Sequence, residues 1–238
     1  MIDNGFSIKE TDKRMQRLGV AGSDVSAILV THEHGDHVGG VARYARRYNI
    51  PVWASYGTAA MMKNIDSVQC FNSHKPFELG DISVEPILVP HDAREPTQFV
   101  FKSNHLKLGV MTDTGSITQH MVDVLNDCDA LILECNYDRE MLLNGVYPES
   151  LKQRVMGDWG HLDNQQAIEL LQHLNTATLQ HLVLAHVSEK NNSHDLVLDS
   201  VSKAIQCDRA WLEVIDQEMG MAWRNLTTNI KSNETLHA

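Results

Sequence analysis

A chain of 238 residues, 42% of them hydrophobic, carries enough apolar material for one globular domain with a sizeable core. Thirty-one acidic residues against 20 basic ones give a net charge of −11, which argues against a broad nucleic-acid-binding surface and leaves room only for a small catalytic contact. No run approaches the ~18 apolar residues of a membrane span. MIDNGFSIKETDKR shows no secretory leader, and Cys70, Cys128, Cys135 and Cys207 form no CxxC pair, so reduced thiols, a cytoplasmic location and no membrane contact are expected.

In chain order, VSAILVT (25–31) reads as a buried strand and residues 38–48 as a helix. A short strand at 51–55 and a helix at 57–63 follow. Three strands then succeed one another without helices between them, at 82–90, 97–103 and 106–113. ITQHMVDVLND (117–127) is amphipathic and helical, and ALILECN (130–136) is a strand. DNQQAIELLQHL (163–174) reads as a helix capped by Asp163, with Gln166 three residues on completing a capping box. LQHLVLAH (179–186) is a strand, followed by a helix near 195–205 and strands near 211–215 and 220–224. A mixed sheet with helices on the outside, in α/β or α+β layers, accommodates this order. One domain over residues 1–226 and a polar tail over 227–238 are expected.

The densest chemistry lies in LVTHEHGDHVGG, residues 29–40. His32 and His34 stand two apart at the end of an apolar strand, so in extended chain they project to one side. Asp36 and His37 fall in the first turn of the next helix, where adjacent residues point in different directions and can serve two different ions. Imidazoles and a carboxylate are costly to bury unpaired. Four such groups in the order HxHxDH fit a metal site, with donors suited to zinc, manganese or iron. Two ions on one short loop make the clamp used in phosphoester hydrolysis. His91 in LVPHDA, Asp113 in GVMTDTG and His186 in LVLAHVS also lie at the ends of apolar strands, the edge where such folds gather functional groups.

THEHGDH resembles the signature of the metallo-β-lactamase fold superfamily, which implies an α+β fold, a four-layer αββα sandwich of two mixed sheets flanked by helices. The resemblance implies that His32, His34 and His91 hold one divalent ion, Zn2+ or Mn2+. Asp36, His37 and His186 would hold a second, with Asp113 bridging. IDNGFSIKE, PHDAREP, TDTG, GHLDN and AHVSEKNN are similar to the YycJ/WalJ-type branch, which implies a 5′→3′ exonuclease acting on DNA. Asp3 then matches an early structural aspartate. A glycine- and serine-rich strand pair normally precedes it, and its absence ahead of Met1 implies a first sheet short of one or two strands, with an exposed edge. Asn4 stands where cysteine is usual, and Asp163 where serine is usual. The superfamily also contains cyclic phosphodiesterases, thioesterases and lactonases, and the acidic charge keeps a small-molecule phosphodiester as the alternative. A metal-binding member without catalysis is the remaining reading.

His161, in GDWGHLDNQQA just before a helix start, stands where a histidine can protonate a leaving alkoxide, and the resemblance implies that catalytic role for it, with Asp36 also in the catalytic set. Phosphate is expected at the N–H groups of that helix end. Asp158 is a candidate to orient His161, and Asn191 and Asn192 are weaker candidates for substrate contact. Cys135 reads as a buried thiol, not a ligand. His74, His105, His120, His173 and His181 show no ligand spacing, and His194 reads as a loop residue. A homodimer is compatible with this reading.

Overall fold

Ile28 and Leu29 point to opposite faces of one strand, and both are almost fully buried, so apolar layers lie on both sides of it. The computed structural model, which describes residues 1–65 and 67–228, shows what these layers are. Strand β1 (Ile28–Leu29) pairs in parallel with β2 (Val52–Ser55), and β2 with β3 (Val68–Phe71), to make a three-stranded sheet. Ile2 adds a parallel bridge to Leu29. The second sheet has seven strands in the order β10-β9-β8-β7-β6-β5-β4. Its members are β4 (Phe77–Leu79), β5 (Ile82–Leu88), β6 (Thr97–Ser103), β7 (Leu106–Met111), β8 (Ala130–Glu134), β9 (His181–Ala185) and β10 (Glu213–Val214). Strands β4 to β7 are antiparallel hairpin neighbours, and β7 to β10 are parallel. Only this larger sheet is mixed.

The helices cover the outer faces. Ile28, Val30, Val52 and Ala54 of the small sheet pack against Val41, Tyr44 and Ala45 of α3 (Val41–Tyr48), with Ile8 and Met15 of α1 (Ile8–Arg17) and Ala59 of α4 (Tyr56–Met61) beside them. Ile87, Val100, Met111, Leu131, Leu133 and Leu184 of the large sheet pack against α5 (Gln119–Leu125), α8 (Asn164–His173) and α9 (His194–Ile205). Between the sheets lie Leu29, Phe71, Val84 and Phe99, joined by the stacked rings of Trp53 and Phe77. Helix, sheet, sheet, helix is the expected αββα sandwich.

Local chemistry sets the boundaries. Asp163 accepts from Gln166 N–H at 2.7 Å and Asp163 N–H donates to the Gln166 side chain at 3.0 Å, the anticipated capping box at the start of α8. The single helix expected over 38–48 is instead a short α2 (Gly35–Val38) and α3, because Gly39 and Gly40 interrupt it. Gly40 N–H donates to the Asn4 carbonyl, so this break ties the metal-motif loop to the N-terminal segment. Ser7 accepts from Glu10 N–H at the head of α1, a start signal not used in the sequence reading. Two short helices, α6 (Arg139–Asn144) and α7 (Glu149–Met156), also went unread. The strand expected at 220–224 is absent; Gly220 makes one antiparallel bridge to Asp216 and the chain runs on irregularly. Of the polar tail, residues 229–238 lie outside the described residues. Among the described residues, no helix is long and apolar enough to cross a membrane.

Candidate active site

The carboxyl ends of β1, β7, β8 and β9 open on one side of the sandwich, and the residues that follow them converge there. Three overlapping groups of donor atoms, each drawn together within 4.8 Å, result: His32, His34 and His91; His32, His37 and Asp113; and Asp113, Glu134, His161 and His186. His32 belongs to two groups and Asp113 to two, so the groups form one continuous centre. Among the predicted ligands only Asp36 stays outside these groups. Its carboxylate is 75% exposed and lies 3.6 Å from His37 Nε2.

Each imidazole is oriented by a partner behind it. Thr31 Oγ1 donates to Asp3 Oδ2 at 2.7 Å, so it accepts from His32 Nδ1 at 2.9 Å, which leaves His32 Nε2 as an acceptor facing His34 Nδ1 at 3.0 Å. His37 Nδ1 donates to Asp3 Oδ2 at 2.8 Å. His91 Nδ1 donates to the Gly160 carbonyl at 3.0 Å. Asp3 therefore holds the first loop as the sequence implied, by tying Thr31 and His37 together. Backing of this kind fixes tautomer and ring direction at metal sites.

Three of these residues sit in the left-handed region: Asp3 at φ 51°, Asp113 at φ 50° and His186 at φ 55°. Such conformations in non-glycine residues are uncommon and store strain. Here they turn the chain sharply at strand ends and aim side chains into the cleft.

Glu134 is the residue that the sequence reading missed. It is fully buried at the end of β8, and both His161 and His186 donate from Nδ1 to its Oε1 at 2.8 Å. Its Oε2 accepts from Thr114 N–H at 3.1 Å and Leu162 N–H at 3.3 Å. Burial alone would raise the Glu134 carboxyl, but the hydrogen bonds and charge of His161 and His186 outweigh it and hold it well below the usual carboxylate range. For His186, burial opposes protonation, yet Asp113, Glu134 and Asp36 together raise its pKa to about 10. Burial, followed by the neighbouring imidazoles, pushes His32 far below the usual histidine range and keeps it neutral, the form that binds metal. The available signal for Glu134 was a carboxylate ending the run ALILE, which a buried parallel strand does not carry without a partner.

Several expectations change. Asp158 is exposed and offers His161 no contact; Glu134 orients that ring. Asn192 is buried and donates to the Cys135 carbonyl and to Asn164, and Asn191 is buried beside Gly145, so neither faces substrate. They brace the turn after β9. At the head of α8, expected to receive phosphate, Asn164 N–H is taken by the Tyr137 carbonyl and Gln166 N–H by Asp163, and Leu162 N–H just before the helix is taken by Glu134. His161 is set in place by loop contact instead. A Cβ on Gly115 would meet Gly160 N at 2.3 Å, so only glycine lets the loop after Asp113 press against the loop before His161. Cys135 is a buried thiol whose pKa burial pushes up, and it joins none of the donor groups.

The donor set faces a cleft of about 540 Å3, whose other wall is α7 with Leu151, Arg154 and Val155. Asp113, which lines the cleft, has its Oδ2 buried without a protein hydrogen-bond partner, and so has His91 at Nε2 in the adjoining donor group. Buried polar atoms are normally satisfied. A cation supplies what these two lack, so the residues present fit divalent metal.

The metallo-β-lactamase sandwich and its histidine-rich edge define the class. Residues 1–187 match the model of the beta-lactamase superfamily domain, and the chain belongs to that family. It is 37% identical over 212 residues to exodeoxyribonuclease YycJ of Bacillus anthracis, covering 87% of this chain and 80% of that one. It is 32% identical over 217 residues to exodeoxyribonuclease WalJ of Streptococcus pneumoniae, covering 87% and 81%. Among solved structures, the metallo-beta-lactamase fold protein YhfI of Bacillus subtilis superposes with a TM-score of 0.70 at 15% identity, over 94% of this chain and 86% of that one, a likeness of fold.

Glu134→Gln tests the double support of the two histidines. Glutamine keeps one oxygen where four donors now point at two, so its NH2 group faces either both imidazoles or the N–H groups of Thr114 and Leu162, and the negative charge between the rings is lost. Metal affinity should fall about 10–100-fold, the usual cost of losing an outer partner of a ligating histidine. Metal content at limiting free zinc or manganese measures this, and unchanged content would remove Glu134 from the site's support.

Proposed function

We propose that this chain is a two-metal phosphodiesterase that degrades DNA from its 5′ end. The observation that carries this reading is the sharing of Asp113 and His32 between adjacent donor groups, which suits two neighbouring ions better than one. His32, His34 and His91 would hold the first ion, His37 and His186 the second, with Asp113 between them and Asp36 at the exposed edge. Nitrogen and carboxylate donors without a thiolate serve Zn2+ and Mn2+ alike. When bound, the ions supply Lewis acidity toward the phosphoryl oxygens and lower the pKa of water.

The chain's own groups do the rest. His161, 22% exposed and held by Glu134, stands at the cleft wall, where it can pass a proton to a departing oxygen. Glu134 keeps that ring in one orientation and balances the positive charge it gains when protonated. The interlocked loops at Gly115 and Gly160 fix the distance between His161 and Asp113, so proton donor and phosphate floor move as one body. The relatives named as exodeoxyribonucleases support DNA as the substrate, and the net charge of −11 implies that contact with it is confined to the cleft.

The experiment is degradation of DNA carrying a label at the 5′ or the 3′ terminus, with added manganese or zinc. Early release of labelled mononucleotide from the 5′ end is the expected result. Turnover of small cyclic phosphodiesters with intact DNA would replace this reading by the small-molecule one. Full metal content without turnover of either would leave a binding protein.

A further inference from the structure

The wall of the cleft facing the metal donors has no part in the chemistry described so far, yet it carries cationic and aromatic groups in an otherwise acidic molecule. On α7, Leu151, Arg154 and Val155 stand three and four residues apart and face the cleft together. The Arg154 guanidinium is fixed through Nε to Asp92 Oδ2 at 2.6 Å, and the side chain is 58% exposed. No other bond to its two terminal nitrogens is made among the described residues, so a planar fork is pre-aimed at the cleft. Tyr147, two residues before α7, lines the same wall, and Lys190 from the turn after His186 stands 5.7 Å from the Tyr147 ring centroid. Asp138 N–H bonds to the Asn191 carbonyl at 2.8 Å, which locks the turn carrying Lys190 to the segment before Tyr147.

The position of this wall relative to His161 is set by a hydrogen bond: His161 N–H donates to the Val155 carbonyl at 3.0 Å. The α7 wall therefore flanks the leaving-group side of the scissile bond. A strand consumed from its 5′ end, with phosphate retained on the shortened strand, expels the 3′ oxygen of the departing nucleotide. That nucleotide lies on the His161 side, and its own 5′ phosphate lies beyond it.

We propose that the α7 wall is the subsite for the terminal nucleotide, with Arg154 pairing with its 5′ phosphate and Tyr147, backed by Lys190, stacking on its base. The proposal rests on the 5′-directed nuclease reading. Arginine suits a phosphate because its fork matches two oxygens at once. An aromatic face accepts any base, so this subsite recognises an end and not a sequence. It also accounts for how a chain with net charge −11 engages DNA: two cations placed at one nucleotide substitute for a basic surface.

The test is calorimetric titration of the metal-loaded protein with thymidine 3′-monophosphate and thymidine 3′,5′-bisphosphate. Both offer a 3′ phosphate to the metal floor, and only the second offers a 5′ phosphate to Arg154. In the unaltered protein the bisphosphate should bind about tenfold or more tightly than the monophosphate, the scale of a charge-assisted hydrogen bond. Arg154→Gln should bring that ratio near one, and Arg154→Lys should keep part of it. Tyr147→Ala should weaken both nucleotides by about tenfold and leave inorganic phosphate unaffected. No advantage of the bisphosphate in the unaltered protein, or an advantage that survives Arg154→Gln, overturns the proposal. If the advantage follows Arg154 while end-labelled DNA stays intact, the subsite stands and the nuclease reading falls.

Discussion

Asp113→Asn should leave the fold intact and reduce DNA hydrolysis by about 10³-fold, the scale on which a lost electrostatic stabiliser is felt. Asp113 is shared by two donor groups, lies at 3% side-chain exposure, and stands 3.7 Å from His37 Nε2 and 3.5 Å from His186 Nδ1. An amide in its place offers one weak acceptor and no charge. Its backbone sits at φ 50°, which asparagine tolerates about as well as aspartate, so local folding is not penalised. The separation appears in thermal unfolding. Metal at about 100 times its dissociation constant adds about 2.7 kcal/mol, which in a chain of this size shifts Tm by about 5–10 °C. The variant should melt near the unaltered protein in chelator and lose most of that increment when metal is restored. An unchanged increment with unchanged turnover would remove Asp113 from the centre.

His161→Ala should cost about 10²–10⁴ in turnover of DNA, the range for losing a general acid. Metal content should change little, because His161 Nδ1 is engaged by Glu134, and His37, His186 and Asp113 are the residues proposed for the ion nearest to it. An aryl phosphodiester such as bis(p-nitrophenyl) phosphate expels a stable phenolate and needs less proton donation, so its loss should be smaller. Equal losses on both substrates would mean that His161 positions substrate. Loss of metal, or no loss of rate, would end its assignment as proton donor.

The metal-motif residues were legible because each announces itself locally. His32, His91, Asp113 and His186 follow apolar strands, and a polar group at that point needs a reason. Glu134 obeys the same rule, but its role depends on two rings from far along the chain, His186 brought by the pairing of β8 with β9 and His161 by the contact of the loops at Gly115 and Gly160. No spacing in one dimension records that meeting. Asn191 and Asn192 erred in the opposite direction. Two polar side chains in a turn suggest solvent or substrate, but here they satisfy or abut buried backbone, as Asn192 does at the Cys135 carbonyl. Asp158 is near His161 in sequence, whereas the carboxylate that orients the ring is 27 residues away. Strand and helix order leads only as far as α/β or α+β layers, and the four-layer sandwich follows from the resemblance carried by THEHGDH. Helices α6 and α7 were too short for periodicity to show, and with them went the wall that holds Arg154.

The donor groups are divided between the two halves of the sandwich. His32, His34 and His37 follow the small sheet, while Asp113, Glu134 and His186 follow strands of the large one. The apolar layer between the sheets is thin, with Leu29, Phe71, Val84 and Phe99 at its centre. An ion held at this edge would thus be a clasp across the seam between the two sheets. Its consequence is the order in which the protein opens. With the clasp in place, amides of β1, β2 and β3 should exchange with deuterium only as fast as those of β7 and β8, through whole-molecule unfolding. Once a chelator removes it, the first 71 residues should detach as a separate cooperative unit and exchange first. Nicking by a protease would then begin in that unit, while the seven-stranded sheet stays protected.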